Sequence, residues 1–389
     1  MQQKFDLAVI GSGVMGTFHA YHAALKGLSV IVFEKDLRPM EATVRNFGQV
    51  VPSGFPPGRW HYYGRYSTQL YKEVQEKKDI GIRNNGSVYI ASNDGEMQLI
   101  EELHRSFAGV DYPSVLLTKE QVLERWPSVR SDYAKGAIFF EQEVSSESRR
   151  MIHQLQAYLS EQYNITFKYS TPVCGLEDSG TAVKVEDTLG NITEADQVVV
   201  ANGRDFKLLF PEQFASSNIE VTKLAMMVTQ PLPEIDLKGN ILTGLTIRRY
   251  ESFTQLPSYG KLDPTEVNQE AVDNGIHILF KQRTDGSIVI GDSHHYADAA
   301  NADELGFDID MDVNRILLDE AKKIVDLPSW EIRDYWNGFY AQMKGGEEIY
   351  ERSVSDRIHI STAIGGKGMT ACAGYAKERI DKIFALAQA

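Results

Sequence analysis

The chain is poor in the features that mark secreted, metal-stapled or membrane-embedded proteins. Its two cysteines, Cys174 and Cys372, lie far apart and outside any C-x-x-C or metal-finger spacing, so neither a disulfide framework nor a zinc module is encoded. Each reads as a free, buried thiol. No run of about eighteen apolar residues occurs, which leaves no candidate membrane-spanning helix. Met1-Gln2-Gln3-Lys4 leads into a strand with no signal-peptide pattern, and the expectation is a soluble, cytoplasmic protein. In that setting Asn164-Ile165-Thr166 and Asn191-Ile192-Thr193 are chance glycosylation matches. Positive charge is also scarce, with 40 Lys and Arg against 54 Asp and Glu for a net charge of −14. That balance argues against a nucleic-acid or anionic-membrane partner, both of which need a concentrated positive field. A small anionic substrate stays open, because a pocket needs only a few local cations. Internal repeats and low-complexity linkers are absent, and 389 residues exceed a usual single domain, so two connected domains are expected.

What is present is concentrated near the start. Phe5 to Ile10 is a short apolar strand, Gly11-Ser12-Gly13-Val14-Met15-Gly16 is a G-x-G-x-x-G turn, and Thr17 to Lys26 is helical. A second strand, Ser29 to Phe33, ends at Glu34. In such a unit Gly11 permits the tight turn, Gly13 admits a pyrophosphate to the backbone, and Gly16 lets helix and strand pack closely. The helix start offers unpaired N–H groups to phosphates, and Glu34 can accept hydrogen bonds from ribose hydroxyls. Strand, turn, helix, strand and acid in this order point to an adenine dinucleotide.

Residues 37–58 read as a long functional loop, Trp60 to Lys78 as a helix, Asn85 to Ala91 as a strand and Gly95 to Phe107 as a helix. Thr118 to Gln121 carries a capping pattern ahead of another helix. A helix over 148–163, strands over 165–169 and 173–186, and a buried strand 196–203 ending in a glycine turn follow. Alternating runs between Ile219 and Asp292 predict an antiparallel sheet. Asp312 to Val325 is helical, and the chain closes with the strand Arg357 to Ala363, a glycine-rich turn, and a helix from about Met369. The return to a strand, glycine turn and helix predicts a discontinuous cofactor domain over 1–84, 145–215 and 335–389. Segments 85–144 and 216–334 form the substrate domain. The fold class expected is α/β plus α+β.

These motifs resemble the D-amino-acid-oxidase-like FAD oxidoreductases, the superfamily of glycine oxidase, sarcosine oxidase and bacterial D-amino-acid dehydrogenase. The resemblance covers nearly the whole chain. Beside the opening motif it rests on 195–203 and on Ile364-Gly365-Gly366-Lys367-Gly368-Met369-Thr370. It implies a Rossmann-like FAD domain of the glutathione-reductase type with an inserted antiparallel-sheet substrate domain. It also implies non-covalent FAD, since the cysteine that anchors flavin in sarcosine oxidases is not evident. Its cofactor contacts would be the opening motif, Glu34, Lys35, Thr43, Arg45, Asn46, Phe47, Gly48, Gln49, Val173, Ala201, Asn202, Gly203 and 365–370. A helix N-terminus aimed at the flavin pyrimidine stabilises the negative charge of reduced flavin. More narrowly, Arg45 to Gln49, Gly291 to Tyr296 and Trp336 to Tyr340 are similar to a subgroup associated with aminoalkylphosphonate breakdown. Amino-acid oxidases of this superfamily commonly clamp the substrate carboxylate with an Arg-Pro after Trp-x-Gly. Here the corresponding stretch is Gly338-Phe339-Tyr340-Ala341, which puts an ordinary α-amino-acid substrate in doubt.

The reaction implied is oxidation of a small anionic amine, with oxygen or another electron acceptor returning the flavin to its oxidised state. Arg45, Asn46 and Gln49 are candidates for flavin or substrate contact, against a turn-forming role. Lys367 is placed to face the flavin, against a solvated loop lysine. His294 or His295 could meet the substrate, but adjacent histidines point to different sides, and no metal site is read. Tyr250, Trp336 and Tyr340 are candidates for an aromatic wall, against ordinary core packing. Arg45, Arg149, Arg150, Arg248, Arg249 and Lys223 are the possible partners of a phosphonate dianion, against surface solubility.

Overall fold

In the computed structural model, which describes residues 4–386, the opening strand β1 (Lys4–Ile10) lies inside an eight-stranded sheet. It pairs in parallel with β2 (Val30–Phe33) on one side and with Ile192–Val200 on the other. Such doubly flanked strands are buried on both faces, which is why Leu7 to Ile10 and Val30 to Phe33 are continuous apolar runs. Ile165–Lys168 extends the sheet beyond β2, and Ile358–Thr362 joins the C-terminal half of Ile192–Val200, both in parallel. The hairpin Val173–Asp178 and Val183–Asp187 completes one edge antiparallel.

Helix α1 (Val14–Leu25) starts three residues before the expected Thr17, at the first residue after Gly13. It is buried from Val14 through Ala23, because it is sandwiched between the sheet and the terminal helix Gly368–Leu386. His22 Nε2 is 2.9 Å from the carbonyl of Ala373 in that helix. Cys372 is buried as expected, but Cys174 is exposed. Cys174 sits on the outermost strand beside buried Val173, and alternation turns it to solvent.

A second, nine-stranded sheet holds Ser87–Ala91, Val115–Thr118 and Gly136–Phe140 together with the strands between 219 and 343. All of its pairings are antiparallel except Asn240–Leu242 with Ser87–Ala91. The expected antiparallel sheet over 219–292 is therefore present. Its extent differs from the expectation in one respect. Residues 335–343, grouped from sequence with the cofactor domain, belong to Ile332–Met343, which runs antiparallel to Ile219–Thr229 along its whole length. The pairing is between segments more than a hundred residues apart, and no local pattern in 335–343 encodes it. A small third sheet ties Gln49–Val50 and Ile82–Arg83 to Val144–Ser146, anchoring the long loop between the two larger sheets.

One polar group in the core carries a pH signature. Glu143 is fully buried, and its Oε1 accepts hydrogen bonds from Ser53 N (2.7 Å) and Tyr112 Oη (2.9 Å). Burial pushes its carboxyl up to about 7, against the lowering effect of those hydrogen bonds. A carboxyl raised in the folded state holds its proton longer than in the unfolded chain, so stability falls as pH rises from the ordinary carboxylate range through about 7. Glu143→Gln is expected to flatten this loss, by on the order of 3 kcal/mol at pH 8 relative to pH 4.5. Urea melts of both proteins across that range measure it.

Candidate active site

A cavity of about 890 Å³ runs from the opening glycine turn to the strand ends of the second sheet. At the nucleotide end two glycines are required by space. Gly11 has φ +101° and a Cβ there would lie 2.4 Å from the Ala201 carbonyl oxygen. At Gly16 a Cβ would lie 1.9 Å from the Gly11 carbonyl oxygen, so this residue fixes helix-to-turn packing and does not line the cavity. Helix α1 has no side-chain cap at Gly13, and Val14 N is held by Thr43 Oγ1 at 2.9 Å. Ser12, expected at the cofactor, instead turns inward. Its N and Oγ both donate to Glu34 Oε2, at 3.0 and 2.8 Å, while Asp36 N donates to Oε1 at 3.1 Å. Ser12 thus sets the carboxylate that lines the cavity.

Gly11, Gly13, Val14, Met15, Glu34, Lys35, Thr43, Val173 and Ala201 to Gly203 line this end. Residues 45–49 and 365–370 line its continuation. Two buried polar atoms on this lining, Gln49 Nε2 and Asn202 Oδ1, have no hydrogen-bond partner among the described residues. Such atoms are costly unless a ligand satisfies them. A glycine cradle, a helix start without a cap from its own N-cap residue, an acid on the lining and orphaned polar atoms together fit a dinucleotide.

Much of the loop's polarity is spent on shaping it. Arg45 donates from Nε to Met40 O (2.8 Å) and from a guanidinium nitrogen to Asn337 O (3.2 Å). Asn46 folds the turn through Ala42 O, Thr43 O, Gly48 N and Ser148 Oγ. Lys35 pairs with Asp205 at 3.1 Å. Lys367 pairs with Glu251 at 2.9 Å, its ammonium lying 5.7 Å from the Trp60 ring centre.

The far end is built from Arg249, Tyr250, His277, Leu279, Asp292, His294 and Tyr340. Arg249 donates to Tyr296 Oη at 2.7 Å. Burial raises the phenols of Tyr250 and Tyr340, with the Asp292 charge adding to it, so both remain protonated hydrogen-bond donors. Burial lowers His294 to about 3, in spite of Asp292, and it is neutral. Burial works to raise Asp292, but its polar neighbours outweigh it and hold the carboxyl below the usual carboxylate range.

Besides Ser12 and Gly16, four expected site residues stand outside the cavity lining. Lys223 donates to the carbonyls of Leu305 and Asp308, each at 2.9 Å; its neighbour Leu224 lines the cavity, so alternation turns Lys223 away. His295 is excluded by the same alternation after His294 and meets Asn274 Oδ1 at 3.3 Å. Trp336 donates from Nε1 to Arg45 O at 3.1 Å and so props the loop from behind. Arg149 stacks on that indole, 5.2 Å from its centre. Of the remaining cation candidates, Arg248 is bound to Glu96 and Glu266, and Arg150 to Asp79. Sequence reasoning missed His277 and Asp292 as site residues. Asp292 stands at a strand end two residues before His294, a readable signal, whereas His277 reaches them only through the fold.

Residues 6–381 match the family described as FAD dependent oxidoreductase, DAO. An opine oxidase subunit from Rhizobium meliloti is 22% identical over 363 residues, covering 90% of this chain and 85% of that protein. The fold is similar to the crystal structure of glycine oxidase from Geobacillus kaustophilus, with TM-score 0.76 and 18% identity over 99% of this chain and 95% of that one. It is similar also to L-proline dehydrogenase from P. horikoshii, with TM-score 0.78 and 17% identity over 99% and 94% of the two chains.

Because a Cβ at Gly11 would overlap the Ala201 carbonyl, Gly11→Ala is expected to abolish co-purification of the yellow cofactor. Gly203→Ala meets open space and adds only the strain of a side chain at φ +61°, about 1 kcal/mol, and is expected to retain a larger share; absorbance near 450 nm per mole of chain reads both. With nearly the whole chain matched, and a cavity whose glycines, acid and helix starts fit the cofactor, the protein belongs to the FAD dependent oxidoreductase family.

Proposed function

We propose that the protein oxidises a small primary or secondary amine bearing an anionic group, an aminoalkylphosphonate or its N-methyl derivative. The observation that carries this reading is the far wall of the cavity. Arg249, Tyr250 and Tyr340 all line it, both phenols protonated, in a chain whose stretch Gly338-Phe339-Tyr340-Ala341 lacks the usual carboxylate arginine. A guanidinium flanked by hydroxyl donors suits a tetrahedral dianion, which accepts more hydrogen bonds than a carboxylate.

FAD, when bound, supplies the acceptor for the hydride leaving the amine-bearing carbon, and hydrolysis of the imine so formed gives a carbonyl product and a smaller amine. The residues placed to hold it are Gly11, Gly13, Val14, Glu34, Thr43, Val173, Ala201 to Gly203 and 365–370. Phe47, Leu224 and Leu279 contribute apolar surface to the lining, which excludes water and favours the neutral amine. Arg249 and the two tyrosines anchor the anionic end and so orient the donor carbon. Lys367 is held by Glu251 at the turn that opens the terminal helix, where its charge complements a reduced cofactor. Oxygen or another acceptor takes the electrons.

A second reading draws on the likeness to the opine oxidase subunit. In it the chain is the flavin-bearing member of a larger assembly, and no amine reduces its flavin unless a partner is present. Glycine, sarcosine or a D-amino acid remains the alternative substrate within the first reading.

Anaerobic addition of N-methyl-2-aminoethylphosphonate is expected to bleach the flavin absorbance, while glycine, sarcosine and D-alanine leave it unchanged. Bleaching only by an amino acid would sink the phosphonate reading. Arg249→Gln is expected to raise KM for the phosphonate by about 10- to 100-fold, the worth of a hydrogen bond to a charged group, with a smaller effect on kcat. Cys372, the cysteine on the cavity lining, is buried with its thiol pushed upward and so protonated. We therefore expect acid precipitation to leave all FAD in the supernatant.

A further inference from the structure

We propose that His277, Asp292 and His294 form a binding site for a divalent first-row transition metal ion, of the zinc class, on the far wall of the cavity. The residues come from three places in the fold: the chain entering strand Leu279–Gln282, the end of strand Ile288–Gly291, and the link to His295–Asp298. Their ligand atoms lie within 4.8 Å of one another. The residues are 3%, 7% and 7% exposed, and all three line the cavity.

Hydrogen bonding around the cluster is what argues for a cation. Asp292 Oδ1 is buried and accepts no hydrogen bond, although His277 Nε2 lies only 2.7 Å away. A ring N–H does not point along that short separation. The opposite nitrogens of both imidazoles have their own partners. His277 Nδ1 lies 3.3 Å from Thr246 Oγ1, whose hydroxyl can donate onward to Ile278 O at 3.4 Å. His294 Nδ1 lies 3.0 Å from the Gly275 carbonyl, which can only accept. Protons on the two Nδ1 atoms leave a lone pair on each Nε2, the arrangement by which outer partners orient metal-binding histidines; the His277 Nε2 lone pair faces Asp292 Oδ1, and His294, whose Nδ1 lies 3.9 Å from that oxygen, completes the cluster. A lone pair facing a carboxylate oxygen at 2.7 Å is repulsive unless a positive charge is shared between them.

No lysine or arginine among the described residues supplies that charge at contact distance. Among the described residues, no Lys or Arg nitrogen comes within 4.0 Å of Asp292. Arg249 is turned to Tyr296, and the other polar groups facing the cluster, Tyr250 and Tyr340, are neutral phenols. Two imidazoles and one carboxylate suit a borderline transition ion better than Mg²⁺ or Ca²⁺, which prefer all-oxygen shells. Three protein ligands leave coordination positions directed at the cavity. The site's relation to substrate rests on the amine-oxidation reading; its affinity for metal does not.

The test is made on the flavin-loaded protein, stripped with EDTA and then freed of chelator. Zn²⁺ is titrated calorimetrically, and zinc retained after gel filtration is counted by mass spectrometry. One Zn²⁺ per chain is expected, with affinity falling on the order of 100-fold or more in Asp292→Asn and His294→Gln, and unchanged in His295→Gln. Near-UV circular dichroism and flavin absorbance identify any variant that has lost its fold, and His294→Gln then carries the comparison alone. Less than about 0.1 Zn²⁺ per chain, or a stoichiometric Zn²⁺ that survives in a folded His294→Gln, overturns the proposal. No substrate enters the measurement, so failure here is distinct from failure of the flavin to be reduced by a phosphonate.

Discussion

The site is organised by the close approach of the opening turn to the end of strand Ile192–Val200. Gly11 N donates to Phe33 O and Ala201 N to Ile10 O, each at 2.8 Å, and no side chain fits between Gly11 and the Ala201 carbonyl. Three segments separated by up to nearly two hundred residues are thereby locked at one point. From it follow the direction of α1, the position of Glu34, and the floor on which the rest of the cavity is laid. The packing of α1 between sheet and terminal helix makes that point rigid, because every residue from Val14 to Ala23 is already buried.

Electrostatically the cavity differs from the surface around it. The chain carries a net charge of −14, yet cations line the cavity at Lys35, Arg45, Arg204, Arg249 and Lys367. Several are matched to acids: Lys35 to Asp205, Arg204 to Glu41 and Lys367 to Glu251. Arg249 has a phenol as its partner. The whole-molecule sum therefore says little about what the pocket attracts, and the pairing of individual charges says more. Exposed pairs of this kind add modestly to stability, and their larger role is to hold loops in place around the ligand.

The opening unit was legible because its information is local: each of its elements has its own periodicity, and the glycines stand at fixed spacing. The antiparallel sheet and the closing strand, turn and helix were legible for the same reason. The pairing of 332–343 with 219–229 was not, since register between remote strands is set by packing that a single segment does not encode. The same distinction divides the site. Gln49, Tyr250, His294, Tyr340 and Lys367 reach the cavity as expected from their neighbourhoods. Lys223 and His295 fail by one residue of strand alternation. Arg149 and Trp336 act together behind the loop, and His277 joins the wall only because two strands of the second sheet bring it to Asp292.

The two ends of the cavity have different structural owners. The lining at the opening glycine turn comes from turns of the eight-stranded sheet and its terminal helix, whereas the far wall comes from strand ends and links of the nine-stranded sheet. Substitutions on the far wall can thus accumulate without loosening the grip on the nucleotide. This separation gives the architecture an evolvable half and a fixed-geometry half. It accounts physically for how folds as alike as this one, a glycine oxidase and an L-proline dehydrogenase can persist at 17–18% identity while the names of the neighbours denote different substrates.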